Sequence, residues 1–454
     1  MKRFVGPLDK RRRISRCQPC AKRRIKCEGG SPCQHCVRTN KTCEPQSPVP
    51  HEIQFVAEQS PRHPSDTRIS VQIHAVRDAV YLDHFVTFIQ RCQFTAGFAS
   101  ATIDMLRCMN TSQPLHNLTM AIGALEASRR SSVRSDPLHD SPQFIAFGFY
   151  GRSIQALNHR LETRDALHRD DVLWSTFLIG LFELMTEASG EQWATHMVHG
   201  TSMIFQMTGP TKRPSALREQ LFLAFRVLET HRAILYGEQT FLSRDVWTQY
   251  QESMASKPPE PGGLVLELMI RISSFAKRFF DSIEAIPDSL RSMHPKMDAL
   301  ANEGVTLLQH LKAWHDNTIV DSDDQNAYLN LALANYHALV LFHCRNFAFY
   351  PGWNEDSNLR LTRAEIDQHV DVIILLAGPI LELSTIPGVL LLFPLRMAGA
   401  NTTSADGKKR IRAILSRIYQ KGFVVSDRIK VDLERCWEYQ SRHECQVQLP
   451  DIVI

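Results

Sequence analysis

Long uninterrupted apolar runs are missing from this sequence. The greasiest region, VDVIILLAGPILELSTIPGVLLLFPL (Val370 to Leu395), is broken by Asp371, Glu382 and three prolines, so buried helices are expected there rather than a membrane span. The N-terminal MKRFVGPLDKRRRISR has no apolar stretch of signal-peptide length. Export is therefore not expected, and without it structural disulfides are not either. Catalytic signatures are absent as well: there is no phosphate-binding glycine loop and no HExxH pair, and GRSIQ carries a serine but lacks the second glycine of a nucleophile elbow. An enzyme is not expected. Runs of alternating β-branched residues are scarce, which argues against a sheet. Cysteine is sparse beyond residue 43: Cys92, Cys108, Cys344, Cys436 and Cys445 are widely scattered and read as buried thiols.

What the chain does have is concentrated at its head. The 454 residues, 43 % of them apolar, exceed one ordinary compact domain and suffice for a sizeable core. The net charge of +4 conceals an asymmetry. Residues 1–43 hold thirteen Lys/Arg against Asp9 and Glu28, a balance of +11, and the remainder carries −7. Such a split predicts a polyanion-binding head on a mildly acidic body.

The same head carries six of the eleven cysteines, in CQPCAKRRIKCEGGSPCQHCVRTNKTC. Cys17 and Cys20 are a CxxC pair followed by Cys27, and Cys33 and Cys36 are a second pair followed by Cys43. A pair with two intervening residues presents two thiolates to one ion. One tetrahedral ion would use four ligands and leave two thiols over. Two ions need eight ligand places, which six thiolates fill only if two of them bridge, and the internal repeat points to its equivalent first members, Cys17 and Cys33. Cys20 and Cys27 then complete one zinc, and Cys36 and Cys43 the other. A thioredoxin-like dithiol is the rival reading, but two such pairs occur and no βαβ pattern surrounds them. A disulfide scaffold falls with the argument against export. His35 lies between two of these ligands, but the cysteines already satisfy the count.

The segment resembles the fungal binuclear zinc cluster transcription factors, whose pattern is six cysteines at this spacing with a basic stretch between the second and third. The resemblance implies two zinc ions, the same bridging roles, a small two-helix cluster and a first helix that enters the major groove at a CGG-type triplet. Here that stretch is AKRRIK, displaying Lys22, Arg23, Arg24 and Lys26. Most such charges are expected on phosphates, with steep salt dependence and no sequence choice. The position that reads guanine in the family, usually lysine, is Arg24 here, preceded by Arg23, and arginine bonds guanine O6 and N7 bidentately. Ala21 replaces a frequent basic residue and Glu28 a frequent Asp. Gly29 and Gly30 allow a tight reversal, and Pro32 stiffens the return. Arg38 and Lys41 read as phosphate contacts. Lys10, Arg11, Arg12 and Arg13 form a nuclear import signal or a DNA-contacting arm.

Domain boundaries follow from composition: a basic arm over 1–16, the zinc cluster over 17–43, a linker over 44–70 and a large all-α domain over 71–454. The linker holds Pro45, Pro48, Pro50, Pro61 and Pro64 and shows no periodicity. Ile69, Ile73, Val76 and Val80 step like a coiled-coil seam for under two heptads, which the first helix of the next domain explains equally well. Beyond it, DAVYLDHFVTFIQRC, DDVLWSTFLIGLFELMTEA and NAYLNLALANYHALVLFHCRNF keep three- and four-residue apolar spacing. Asp170 and Asp171 suit a helix start, and TGP at 208–210 suits a stop. His196 and His199 stand at metal-binding spacing but read as packing histidines, because no carboxylate or thiol partner is near in sequence. Trp193 reads as core, and the acidic DNTIVDSDDQN as an exposed loop.

WATHMVHGTSMI, FRVLETHRAILYGEQTFLSRDVW and FPLRMAGANTTS, the last followed by a basic helix and LERCWEY, are similar to the fungal-specific transcription factor regulatory domain. That resemblance implies a helical regulatory body, in some members a receptor for an apolar small molecule. The expectation is a nuclear regulator that binds double-stranded DNA at CGG-like triplets, with no membrane partner. Control of a specialised metabolic pathway is a further expectation, from the family's habit alone; a homodimer paired through the large domain, monomeric binding and an apolar small-molecule effector all stay open. The alternative is a ligand-receptor or protein-interaction regulator whose zinc head binds DNA weakly.

Overall fold

The computed structural model describes residues 17, 19–20, 32–39, 42–44, 67–130, 141–211, 213–254, 261–320, 326–349 and 360–447, with backbone alone at 67–76, 252–254, 261, 319–320, 347–349 and 443–447. The chain divides into two compact units, residues 1–71 and 72–454. The head contributes α1 (Gln34–Arg38). The first part of the body runs α2 (Thr67–Arg91), α3 (Thr102–Met109), α4 (Gln113–Arg130), α5 (Pro142–Leu161), α6 (Asp170–Thr186), α7 (Glu191–His196), α8 (Ser202–Thr208) and α9 (Ala216–Tyr236). It continues as α10 (Asp245–Met254), α11 (Pro261–Ala285), α12 (Asp288–Arg291), α13 (Pro295–Val320), α14 (Ala327–Phe349), α15 (Arg363–Leu383), α16 (Leu392–Asn401), α17 (Ala405–Gln420) and α18 (Ser426–Val447). No strand occurs among the described residues. Because α2 starts at Thr67, the last residues of the expected linker are already helical.

Local signals account for many of the helix ends. Asp170 and Asp171 open α6 as expected, their negative charge in the first turn suiting the positive end of the helix dipole. Ser141, Ser215 and Ser404 cap α5, α9 and α17 with their hydroxyls. Thr362 and Glu365 form a reciprocal capping box at α15. Gly209, at φ +67°, ends α8, and Gly237, at φ +64°, ends α9, conformations in which a Cβ would be strained.

Helix α6 is the centre of the first half. Its residues from Asp171 to Met185 are all buried, as a helix that is apolar around its whole circumference must be. Helices α4 and α5 pack together beside it, and α7 returns along it. Helix α9 lies against α6 and also against α11, joining this half to the second layer of α11, α13, α14, α15 and α16. Rings fill the spaces: Phe98 stacks on Trp174, and Phe222 on Trp247. Trp193 is core, against Tyr236. The thiols divide: Cys92 and Cys344 are buried, Cys108 and Cys436 are only partly so, and the side chain of Cys445 lies outside the described residues. Asp316 to Val320 form the last turn of α13 rather than a loop, and residues 321–325 of that acidic stretch lie outside the described residues.

Several charges are interior. Arg232 on α9 is buried with Glu229, which receives two guanidinium N–H bonds at 2.7 and 3.0 Å, and Glu238 receives another at 2.7 Å. Glu183 inside α6 accepts from Tyr150 Oη at 2.7 Å and lies 2.7 Å from His196 Nδ1. The carboxylate partner of His196 is thus thirteen residues away on another helix. Between α7 and α8 the chain widens into a π turn, Met197–Thr201, which carries the exposed His199. Among the described residues the two histidines belong to no metal-binding group.

Two glycines differ sharply in what a methyl group would meet. At Gly123 a Cβ would lie 1.9 Å from the Tyr81 carbonyl oxygen, because α4 and α2 touch backbone to backbone there. Gly123→Ala is expected to destabilise the body by about 3 kcal/mol or more in denaturant titration. Gly151 in α5 has nothing within 4 Å of its Cβ position. Gly151→Ala should therefore stabilise by up to about 1 kcal/mol through helix propensity, and a loss at this site would contradict the packing described.

Burial pushes His231 and His343 down to about 4, against an ordinary value near 6.5. Between those values the unfolded chain binds the extra protons, so stability falls as pH drops from about 6.5 toward 4. His196 runs the other way: its bond to Glu183 raises it, and its contribution is lost as pH rises through its folded value. The helical melting temperature is expected to decline already below pH 6.5, before ordinary carboxylates protonate; a flat profile down to pH 5 would refute this assignment.

Candidate metal centre and nucleic-acid interface

The described interior of the head is made of thiols. Cys17, Cys20, Cys33 and Cys36 are all buried, and Cys43 packs partly buried against them. Cys33 takes extended dihedrals at the N-cap of α1, and its sulfur accepts the Cys36 N–H at 3.5 Å. Its own N–H donates to Cys43 Sγ at 3.2 Å, drawing the last cysteine back onto the group. Pro32 stands just before this turn, exposed.

The four buried sulfurs all lie within 4.8 Å of one another. Cys17 Sγ is 3.7 Å from both Cys33 Sγ and Cys36 Sγ, and Cys20 Sγ is 3.7 Å from Cys33 Sγ. Two thiolates on one tetrahedral zinc, each bonded at about 2.3 Å, stand about 3.8 Å apart. The observed spacing therefore fits ligands of a shared ion and is far beyond a disulfide bond length. A soft, four-sulfur donor set of this shape favours zinc.

The electrostatics repeat the internal symmetry. The Cys36 N–H lowers the Cys33 thiol to about 6, and the Cys20 N–H lowers Cys17 in the same way. Burial raises Cys20 to about 12 and moves Cys36 in the same direction. The equivalent first members of the two halves are thus the sulfurs whose negative charge the backbone best supports. His35, by contrast, is not in the sulfur group, and its Nε2 is shielded without a hydrogen-bond partner among the described residues.

Arg38, at the end of α1, is exposed, as a phosphate contact requires. Cys27, Lys22, Arg23, Arg24, Lys26 and Lys41 lie outside the described residues, as do Lys10, Arg11, Arg12, Arg13, the Gly29–Gly30 reversal and most of the linker. In the body, one open cleft of about 410 Å³ is bounded by Lys408, Arg412, Glu434, Trp437, Glu438, Ser441 and Arg442. The Arg412 guanidinium lies 4.7 Å from the Trp437 ring centre and pairs with Glu434, so a paired charge lies over the ring at this cleft. No described helix is long and apolar enough to cross a membrane.

Residues 16–51 match the family model of the fungal Zn(2)-Cys(6) binuclear cluster domain, a domain that binds two zinc ions. Residues 80–453 match the model of the fungal specific transcription factor domain. Both are families of transcription factors, not enzymes. An uncharacterised protein of Emericella nidulans is 23 % identical over 121 residues, a stretch covering 26 % of this chain and 26 % of that protein. No solved structure matches. With the second model spanning most of its length and the first covering its thiol-filled head, the chain belongs to the fungal specific transcription factor family and carries a binuclear zinc cluster domain.

Proposed function

We propose that this protein is a nuclear, sequence-specific DNA-binding transcription regulator whose zinc-held head reads CGG-like triplets. The observation that carries the reading is the buried sulfur group at 3.7 Å spacing in a head of charge +11. Cys17, Cys20, Cys27 and Cys33 hold one zinc, and Cys33, Cys36, Cys43 and Cys17 hold the other. Zinc supplies folding free energy to a segment with little else to bury. The protein's own residues then do the reading. Lys22, Lys26, Arg38 and Lys41 neutralise phosphates and fix the register of the head on the duplex. Arg23 and Arg24 face base edges, where a guanidinium fork matches the two acceptors of guanine. Lys10 to Arg13 serve nuclear import or add backbone contacts.

Gel shifts of the full chain on CGG-containing and scrambled duplexes test this. The CGG duplex should bind at least about a thousandfold tighter at physiological salt. Equal affinity would leave the weaker alternative, a protein-interaction regulator with a zinc-stabilised head. Arg24→Ala should cost about 1–3 kcal/mol of discrimination at the guanines, whereas Lys41→Ala should weaken all duplexes alike and reduce the salt slope by about 1. Indistinguishable effects would refute the division of roles.

Zinc content tests the bridging scheme separately. Wild type should hold two zinc ions per chain. Cys17→Ser or Cys33→Ser should strip both ions, and Cys20→Ser should mainly empty one site, while the helical melting of the body stays unchanged because it is a separate compact unit. Equal losses from bridging and terminal positions would count against the scheme.

A further inference from the structure

Four buried or half-buried histidines of the body fall into two kinds. His231 and His343 are each tied to a backbone carbonyl, His231 to Val227 and His343 to Gly304, both at 2.8 Å. That is how a histidine serves packing: one ring nitrogen is committed to a fixed acceptor of its own. His337 and His369 make no such bond. Their Nδ1 atoms face each other at 2.7 Å across the contact of α14 with α15.

A third imidazole stands beside them. His315, from α13, stacks on Tyr336 with ring centres 4.3 Å apart, and its ring centre lies 5.8 Å from that of His337, edge to face. The His337 and His369 ring centres are 4.9 Å apart. Two imidazoles on one tetrahedral ion, bonded at about 2.1 Å, place their nitrogens about 3.4 Å and their ring centres about 5 Å apart. The His337–His369 pair is therefore within a few tenths of an ångström in ring placement and opens by less than 1 Å at the nitrogens. His315 has to leave its stack to join them: among the described residues only the cysteine group already gathers its ligand atoms within 4.8 Å. The rim is accessible, since His369 and His315 are only partly buried. Carboxylates stand near it, with Asp316 Oδ1 3.6 Å from His315 Nδ1 and Glu365 one turn before His369 on α15.

We propose that His337 and His369 form a second metal site, separate from the zinc head, that takes a divalent ion of the imidazole-preferring class, zinc foremost, with His315 turning off Tyr336 to supply the third nitrogen. Water fills the remaining position. Carboxylate and thiolate are not in the donor set, which separates this site from the all-sulfur head and from calcium or magnesium sites. Bound there, the ion clamps α13, α14 and α15 together, so the body gains stability with free zinc concentration by mass action. The helical body would thereby register the metal that its own DNA-binding head requires.

The test uses the full chain with its head already loaded with two zinc ions, dialysed against graded free zinc and analysed for metal by mass spectrometry. A third zinc per chain is expected, with affinity at least about tenfold weaker in His315→Ala and the ion lost in the His337→Asn, His369→Asn double variant. Zinc staying at two per chain, or a third zinc that survives the double variant, would overturn the site and leave a hydrogen-bonded histidine pair only. A measurement on wild type alone covers the case in which the double variant misfolds. In chain labelled with nitrogen-15 at histidine, zinc should shift two or three ring-nitrogen signals by coordination, and unshifted signals would equally sink the proposal. Neither arm depends on DNA binding, so failure of the CGG reading leaves this result interpretable.

Discussion

Thiol sulfur is the only described interior of the head, and that fact constrains everything the head can do. A segment this short cannot bury enough apolar surface to offset the entropy of ordering its backbone. Its core cluster consists of Cys17, Cys20, Cys33, Cys36 and the partly buried Cys43, with no aliphatic or aromatic side chain among its described members. Metal–thiolate bonds replace the missing hydrophobic contacts. Helix α1, capped by Cys33 and containing Cys36, then gains a rigid anchor. A basic segment mounted on such an anchor can present its charges in register with a nucleic-acid groove at small entropic cost.

The body is built by the opposite logic. Its core, among the described residues, is continuous and large, and a charge inside it calls for a partner. Arg232 with Glu229 and Glu238, and Glu183 with Tyr150 and His196, each satisfy that condition. Pairs of this sort add little net stability over apolar packing, but breaking one partner away leaves an uncompensated charge in the interior. They therefore specify which helices meet: Glu183 joins α6 to α5 and α7. The histidines extend the theme, since some are pinned to carbonyls and one pair is pinned only to itself.

Much of this was legible in the sequence. The all-helical body followed from apolar spacing, because a stripe at three and four residues has one stable solution in water, a helix packed on that face. The starts and stops at Asp170 and at the TGP of 208–210 were legible because caps are local chemistry. The CxxC pairs could be read as a metal cage because ligand number and spacing are covalently fixed along the chain. Errors arose where the decisive partner is remote. The carboxylate beside His196 escapes a local reading because Glu183 lies on another helix, and α13 continues through the acidic residues after His315 as far as Val320. Cys108 and Cys436 are partly rather than fully buried, a difference that depends on how their helices pack and not on any local pattern.

The sequence alone determined the two-part organisation in outline, the helical class of the body and the thiol character of the head, where Cys17, Cys20, Cys33 and Cys36 gather. Each rests on composition or on spacings below about eight residues, which the chain imposes whatever it later packs against. The tertiary structure decided which of those local groups meet. It brought Cys17 to 3.7 Å from Cys33 and Cys36, set Glu183 beneath His196, and turned His337 and His369 toward each other from separate helices. Contacts between residues thirteen to thirty-two positions apart depend on how whole helices cross, and crossing is set by the packed core rather than by any local signal.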